Sequence, residues 1–252
     1  MYKPIIALCL LFFFLATLPI DSQNALPDND LWKEDKIDKT NTGQEMFNKV
    51  IDATYKIYKP LADANNESLV INKKWSDSTV NANVTRYWGT VYINMYGGLF
   101  RRPETTVEGF ALVLCHEIGH AYGGTPYIRA YNKLSAEGQA DYYGAKECLH
   151  QVLKELNLSE YELEPTYFME DTCEKAYTGD RADSCVRSLI GGQSLGNLLA
   201  TLRKVDQPSY QTPDPTVVEE TLVSYPETVQ CRLDTYLRGT LNQSRPNCWF
   251  KD

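Results

Sequence analysis

Residues 115–141 read CHEIGHAYGGTPYIRAYNKLSAEGQAD. This stretch contains His116 and His120, two of the three histidines in the chain. Residues four apart in a helix lie on one face, so both imidazoles can reach a single ion. Zinc favours nitrogen ligands of this kind at about 2.0–2.1 Å. The pair therefore predicts a face for one zinc ion per chain, on a helix over about residues 105–122.

Glu117 completes an H-E-x-x-H motif with these histidines. Its carboxylate projects beside the metal-binding face, where it can hold and deprotonate a water molecule whose pKa a bound zinc brings to about 7. The alternative is a pair of surface histidines on an ordinary helix. Gly119 argues against this alternative, because a glycine inside a helix costs about 1 kcal/mol relative to alanine. Close crossing by a second helix would explain why a glycine is present.

A catalytic zinc site needs a third protein ligand and one open position. One common pattern places a histidine six residues after His120, but that position is Pro126. Glu137 is the better candidate, because it begins the next predicted helix and Asp141 follows one turn later. Asp141 can then accept the outer N–H of a ligand imidazole. The alternative is a solvated acidic helix start, and we expect the third histidine, His150, to be a bystander.

The N-terminus has the organisation of a secretory signal peptide. Lys3 precedes an apolar run over residues 5–18, which is shorter than the roughly 20 residues that span a bilayer. We expect residues 1–22 to be a signal peptide, cleaved after Ser22 or Ala25, and the alternative is an uncleaved anchor. The protein is thus expected to be exported, periplasmic or extracellular, and not stably inserted in a membrane after cleavage.

Seven cysteines are present, and six of them follow the predicted signal peptide. An even number in an exported chain indicates disulfide bonds. We predict the two pairs closest in sequence, Cys173–Cys185 and Cys231–Cys248. Cys115–Cys148 follows by elimination, yet Cys148 lies about 16 Å along the helix axis from Glu137, which would carry it past Cys115. Cys173 and Cys185 are therefore alternative partners for Cys148.

The remaining sequence indicates one domain over residues 44–252, after a flexible polar leader over residues 23–43. A helix is expected from Gln44 to Pro60, and strand-like runs lie at 69–71 and 89–96. Further helices are expected over about residues 105–122, 135–156, 181–204 with an interruption at Gly191-Gly192, 216–224 and 226–239. The predicted class is α+β, mainly helical, with a small β-sheet ahead of the H-E-x-x-H helix.

Composition excludes several other classes of protein. The 252 residues carry 25 Lys and Arg against 33 Asp and Glu, a formal net charge of −8. This acidic balance argues against nucleic acid as a partner, because phosphate contacts need clustered basic residues. An apolar content of 43% excludes a wholly disordered chain. The sequence leaves the oligomeric state open.

The ordered motifs resemble the gluzincin class of zinc metallopeptidases. The closer resemblance is to the HtpX and CaaX-prenyl-endopeptidase-like peptidases and their soluble exported relatives. Residues 80–100, VNANVTRYWGTVYINMYGGLF, resemble the family's asparagine-alanine segment, strand and glycine turn. Residues 214–236, DPTVVEETLVSYPETVQCRLDTY, resemble its late segment. The resemblance covers about residues 69–240 and implies a zincin-like metallopeptidase domain.

The resemblance also implies roles for individual residues. These are metal ligands His116, His120 and Glu137, the general base Glu117 and the orienting carboxylate Asp141. The family has a histidine where this chain has Tyr225, so we assign oxyanion stabilisation to Tyr225 and Arg232. The alternatives are a half-buried tyrosine and an ion-paired or helix-capping arginine.

The expected function is that of an exported zinc endopeptidase acting on peptide or protein substrates. An extended substrate would pair with the strand over residues 90–96 as an added strand. One alternative is a catalytically inactive binding or scaffold protein on a peptidase fold. Another is a hydrolase of a different amide, such as one in a cell wall.

Overall fold

A computed structural model describes residues 22–31, 42–158 and 161–252. Its elements, in chain order, are β1 Ser22–Asn24, α1 Thr42–Ala64, β2 Ser68–Lys74, β3 Ala82–Tyr87, β4 Thr90–Tyr96, α2 Gly97–Phe100, α3 Val107–Tyr122, β5 Tyr127–Arg129, β6 Leu134–Ser135, α4 Glu137–Tyr143, a π-helical turn Gly144–Cys148, α5 Leu149–Leu156, α6 Tyr167–Ala176, α7 Asp180–Arg203 and α8 Val229–Thr240. Helices predominate and a small sheet precedes α3, which confirms the predicted α+β class. None of the helices in these ranges is long and apolar enough to span a bilayer.

The main sheet has four strands in the order β1-β3-β4-β2. β3 runs antiparallel to both β1 and β4, while β2 runs parallel to β4. Alternate residues of the hairpin formed by β3 and β4 are fully buried: Ala82, Val84, Val91, Ile93 and Met95. Since side chains of a strand alternate between its faces, one face of this sheet covers the core. β4 has a neighbour on each side, so the predicted pairing of a substrate with residues 90–96 is wrong.

α3 is the central element of the fold. Its residues from Glu108 to Ala121 are buried, and it packs on α7, on α4 and on the sheet. Thr106 caps its N-terminus by accepting a hydrogen bond from the backbone N–H of Gly109. A helix that is covered on all sides holds its side chains in fixed positions, so α3 is a rigid support for the H-E-x-x-H motif.

Two features predicted for the helices are wrong, the end of α1 and an interruption in α7. α1 continues past Pro60 to Ala64, and the fully buried Ala62 helps to hold that last turn against the core. α7 runs without interruption through Gly191 and Gly192. A Cβ at Gly191 would lie 2.8 Å from the Glu108 carbonyl oxygen. These glycines therefore make room for neighbouring backbone and side chains and do not break the helix.

The predicted helix over residues 216–224 is absent, and α6 and β3 were not predicted. In residues 216–224 the backbone N–H groups of Val218 and Leu222 donate to the carbonyls of Asn247 and Trp249. These long-range bonds replace the helical ones. α6 begins after Thr166, whose side chain caps the helix by accepting a hydrogen bond from the backbone N–H of Met169.

The first residues of the predicted flexible leader are ordered in the structure. Gln23 and Asn24 belong to β1, and Ala25 and Leu26 are buried, so the prediction is wrong for residues 23–26. Most of the predicted signal peptide, residues 1–21, and residues 32–41 of the leader lie outside the described residues.

Three disulfides are formed, which indicates an oxidising, exported environment. The predicted Cys173–Cys185 and Cys231–Cys248 bonds are confirmed. Cys115 and Cys148 are also bonded, with 5.5 Å between their Cα atoms, so the predicted separation of these two cysteines is wrong.

The error lies in the assumed register of the two helices. A Cβ on Gly119 would meet the Ala140 backbone, and one on Gly144 would meet the Cys115 backbone. The helices are therefore antiparallel with Glu137 near the C-terminal end of α3. With the observed register, Cys148 lies only about one turn beyond the level of Cys115.

Candidate metal centre

α3 and α4 bring the three predicted metal ligands together. His116 and His120 lie one turn apart on α3, and Glu137 is the first residue of α4. Glu137 Oε2 lies 3.4 Å from His116 Nε2, and Glu137 Oε1 lies 3.6 Å from His120 Nε2. One ligand atom from each residue lies within 4.8 Å of the other two. Both histidines have no exposed surface, and Glu137 is 3% exposed.

These separations suit a small divalent cation. Ligands about 2.0–2.1 Å from zinc at the corners of a tetrahedron lie about 3.3–3.4 Å apart. Within the described ranges, His116 Nε2, His120 Nε2 and Glu137 Oε2 are buried without hydrogen-bond partners. Such atoms are costly to bury, and a cation between them would satisfy all three. The group can therefore hold a metal ion.

The opposite edge of each imidazole is held by an acceptor. His116 Nδ1 lies 2.7 Å from Asp141 Oδ1, and His120 Nδ1 lies 2.7 Å from the backbone oxygen of Ser135. A proton on each Nδ1 can donate to these acceptors, which leaves the Nε2 lone pairs directed at a metal. The structure thus places Asp141 in the predicted orienting position. Ser135 acts through its carbonyl group, for which the sequence has no side-chain signal.

Asp141 is the centre of a buried network of charges. Arg232 donates from Nε to Oδ2 and from Nη2 to Oδ1, each at 2.7 Å, and Tyr236 donates its hydroxyl to Oδ1 at 3.1 Å. Burial alone would raise the pKa of Asp141, but Arg232 and His116 hold it well below its usual range. Asp141 therefore remains ionised and anchors the His116 ring.

An oxyanion-stabilising role requires Arg232 and Tyr225 to donate to a bound substrate, but in the structure both donate to groups of the protein. Arg232 is 1% exposed, and its ion pair with Asp141 matches the alternative considered for it. Tyr225 is half-buried and donates its hydroxyl to the carbonyl oxygen of Asn24. The Arg232 guanidinium lies over the Tyr225 ring, 5.5 Å from its centroid. Both residues thus border the metal centre, and their polar groups bind Asp141 and the N-terminal segment.

Glu117 lies on α3 between the two histidines and is fully buried. Neither of its carboxylate oxygens has a hydrogen-bond partner in the described part of the chain. Burial raises the pKa of Glu117 to about 8, against the opposing charges of His116 and Arg232. A carboxyl group with a pKa near neutrality can both accept and return a proton, as a general base must do.

A second group of ligand-type residues comprises Asp214, Cys231 and Cys248. Its cysteines are joined in a disulfide and have no thiolate to offer to a metal. His150, on α5, belongs to neither group. Among the described residues, the group on α3 and α4 is therefore the candidate metal centre.

Comparison of the chain with models of protein families, with curated proteins and with solved structures gave no match. The resemblance to gluzincin peptidases consequently rests on the motifs of this chain alone. Two members of the site went unpredicted, the Ser135 carbonyl and Tyr236. Tyr236 lies four residues after Arg232, a spacing that places both on one face of α8.

Proposed function

We propose that the protein is an exported zinc-dependent endopeptidase. The observation that carries this proposal is the juxtaposition of three buried ligand residues, whose ligand atoms lie within 4.8 Å of one another, with the unpartnered carboxylate of Glu117. The same four residues occur in the order of the gluzincin motifs, which supports peptide hydrolysis over other metal-dependent reactions. The metal would be held by His116, His120 and Glu137.

When bound, zinc supplies Lewis acidity and lowers the pKa of a ligated water. Asp141 and the Ser135 carbonyl fix the ring orientation of His116 and His120, so that the ligand nitrogens need no reorganisation. Glu117 would accept the proton of the attacking water on a carboxylate oxygen and return it to the leaving amine. Its raised pKa favours the acceptance of this proton.

Charge stabilisation by Tyr225 would require an exchange of partners. Tyr225 would have to release the Asn24 carbonyl before its hydroxyl could donate to a developing oxyanion. Arg232 binds Asp141 through Nε and Nη2. Its remaining nitrogen, Nη1, donates to the Ala25 carbonyl at 3.2 Å. Both candidate donors are thus engaged by the same N-terminal segment.

The test is a Glu117→Gln variant in a casein digestion assay, with and without a chelator. This variant should retain zinc and lose cleavage by at least about 100-fold, because removal of a general base costs about 10²–10⁴-fold. Glu108→Gln is a matched control, since Glu108 is a buried glutamate on the same helix that pairs with Arg187 away from the metal centre. Normal digestion by Glu117→Gln would contradict the mechanism. Zinc binding without chelator-sensitive digestion in any form of the protein would favour the binding or scaffold alternative.

A further inference from the structure

The N-terminal segment, residues 22–26, lies along β3 as an added strand. The register pairs Ser22 with Thr85 and Asn24 with Asn83, and the backbone N–H of Ala25 continues the pairing by donating to Ala82 at 2.9 Å. β3 is otherwise the edge of the sheet, because the order is β1-β3-β4-β2. An edge strand offers unpaired N–H and C=O groups that any extended peptide can use.

Asn81, directly before β3, recognises this segment through its backbone. Its side-chain oxygen accepts from the Leu26 N–H and its side-chain nitrogen donates to the Leu26 carbonyl, both at 3.0 Å. Leu26 has no exposed surface and Ala25 is 2% exposed. A side chain that binds both backbone groups of a residue holds an extended peptide whatever its sequence. Burial of Leu26 adds an apolar anchor.

The same segment contacts residues that border the metal centre. Tyr225 donates to the Asn24 carbonyl, and Arg232 Nη1 donates to the Ala25 carbonyl. Arg232 in turn holds Asp141, which holds His116. With this segment in place, His116 and His120 have no exposed surface, and neither has the unpartnered Glu117. A polypeptide substrate has no access to a centre that is buried to this extent.

We propose that residues 23–26, which cleavage of the signal peptide after Ser22 leaves on the exported chain, are an intramolecular peptide ligand of the β3 edge that occupies the position of an extended peptide and closes the metal centre until it is released. The proposal rests on the proposed function for its claim that peptide is the substrate. It assigns peptide binding to the edge of β3, to Asn81 and to the two carbonyl-binding side chains Tyr225 and Arg232. It also places the opening step at the release of the segment.

The test separates the segment from the folded protein after folding. A recognition sequence for a specific protease is placed within residues 32–41 of the full chain carrying Glu117→Gln, and the purified zinc-loaded protein is then cut. We expect a labelled synthetic peptide of residues 23–31 to bind the cut protein and not the uncut protein, measured by fluorescence anisotropy. Zinc transfer to a chelator should become faster by at least about tenfold, as expected if the segment contributes 1.4 kcal/mol or more to closure.

Ala25→Pro is a second variant that needs no cutting. It removes the N–H donor to Ala82 and should speed zinc transfer about fivefold, since one hydrogen bond contributes about 1 kcal/mol. Asp30→Ala, at an exposed position of the same stretch, should leave the rate unchanged. The proposal would be overturned if the cut protein and Ala25→Pro both transfer zinc at the rate of the uncut protein and the cut protein binds no peptide.

Failure of this proposal can be told apart from failure of the proposed function. Peptide binding and zinc transfer do not require catalysis. If they respond as expected but the cut protein with Glu117 intact digests no casein, the endopeptidase function is wrong and the segment proposal stands. If cut and uncut protein digest casein at equal rates, the function stands and the segment does not close the centre.

Discussion

Replacement of Asp141 by asparagine tests whether the buried charge network supports the metal centre. Asp141 has no exposed surface and accepts four hydrogen bonds, one from His116, two from Arg232 and one from Tyr236. Asparagine keeps the size of the side chain but loses its charge and turns one acceptor into a donor. Arg232 then becomes a buried cation without its carboxylate.

Two magnitudes follow from this geometry. Removal of one partner of a buried ion pair costs about 3–5 kcal/mol of the free energy of unfolding. Loss of the acceptor that orients a ligand histidine weakens metal binding by about 10–100-fold. The first is measured by urea unfolding of the metal-free protein, and the second by zinc titration in competition with a chelating dye.

A control and a double variant sharpen this test. Asp234→Asn removes a different buried carboxylate, which lies on α8 and accepts from the Asp214 N–H and the Gln230 side chain, and should leave zinc affinity unchanged. Arg232→Met combined with Asp141→Asn should recover part of the lost stability but none of the zinc affinity, because both charges are then gone. Wild-type stability and wild-type zinc affinity in Asp141→Asn would refute the reasoning.

Two further predictions concern packing and pH. Gly119→Ala would place a Cβ 2.5 Å from the Ala140 carbonyl oxygen, so we expect α3 and α4 to separate, with a loss of about 1–3 kcal/mol in unfolding free energy and weaker zinc binding by titration. Gly196→Ala in α7 is its control and should leave zinc binding unchanged. The metal-free protein should lose stability as the pH rises above 6.5. Asp141 and Glu137, despite burial, raise the pKa of folded His116 to about 10, and burial raises the pKa of folded Glu117 to about 8, so both stabilising protons are lost in this range. Between pH 4.5 and 6.5 the stability should be nearly constant, because the falling contribution of Glu117 offsets the gain from folded His120, whose pKa burial lowers to about 4. Thermal melts with a chelator at several pH values check this, and stability that rises from pH 6.5 to 9 would contradict it.

The sequence predicts best where a feature is local. His116 and His120 share a helix face by spacing alone, and Glu137 begins the next helix. The glycine at position 119 correctly indicated a close helix crossing, here with Ala140. The β-branched and aromatic residues of residues 89–96 likewise located β4.

Prediction from sequence fails where distant segments decide the outcome. Residues 216–224 look helical, but their N–H groups pair with the C-terminal segment. Arg232 lies 91 residues from Asp141, so its ion pair has no local signature. The polar residues 22–24 resemble a leader, yet they form a strand because β3 offers an edge to them. The register that joins Cys115 to Cys148 also depends on packing of two separate helices.

The central claim is that His116, His120 and Glu137 bind one zinc ion. Its most direct test is the zinc content of the purified exported protein, measured by elemental mass spectrometry. We predict one zinc per chain in the wild type. We also predict loss of that zinc on dialysis for the combined variant His116→Ala and His120→Ala, with Glu117→Gln retaining it. A wild-type protein that holds no zinc after incubation with it, or a histidine variant that keeps a full equivalent, would contradict the assignment of this centre.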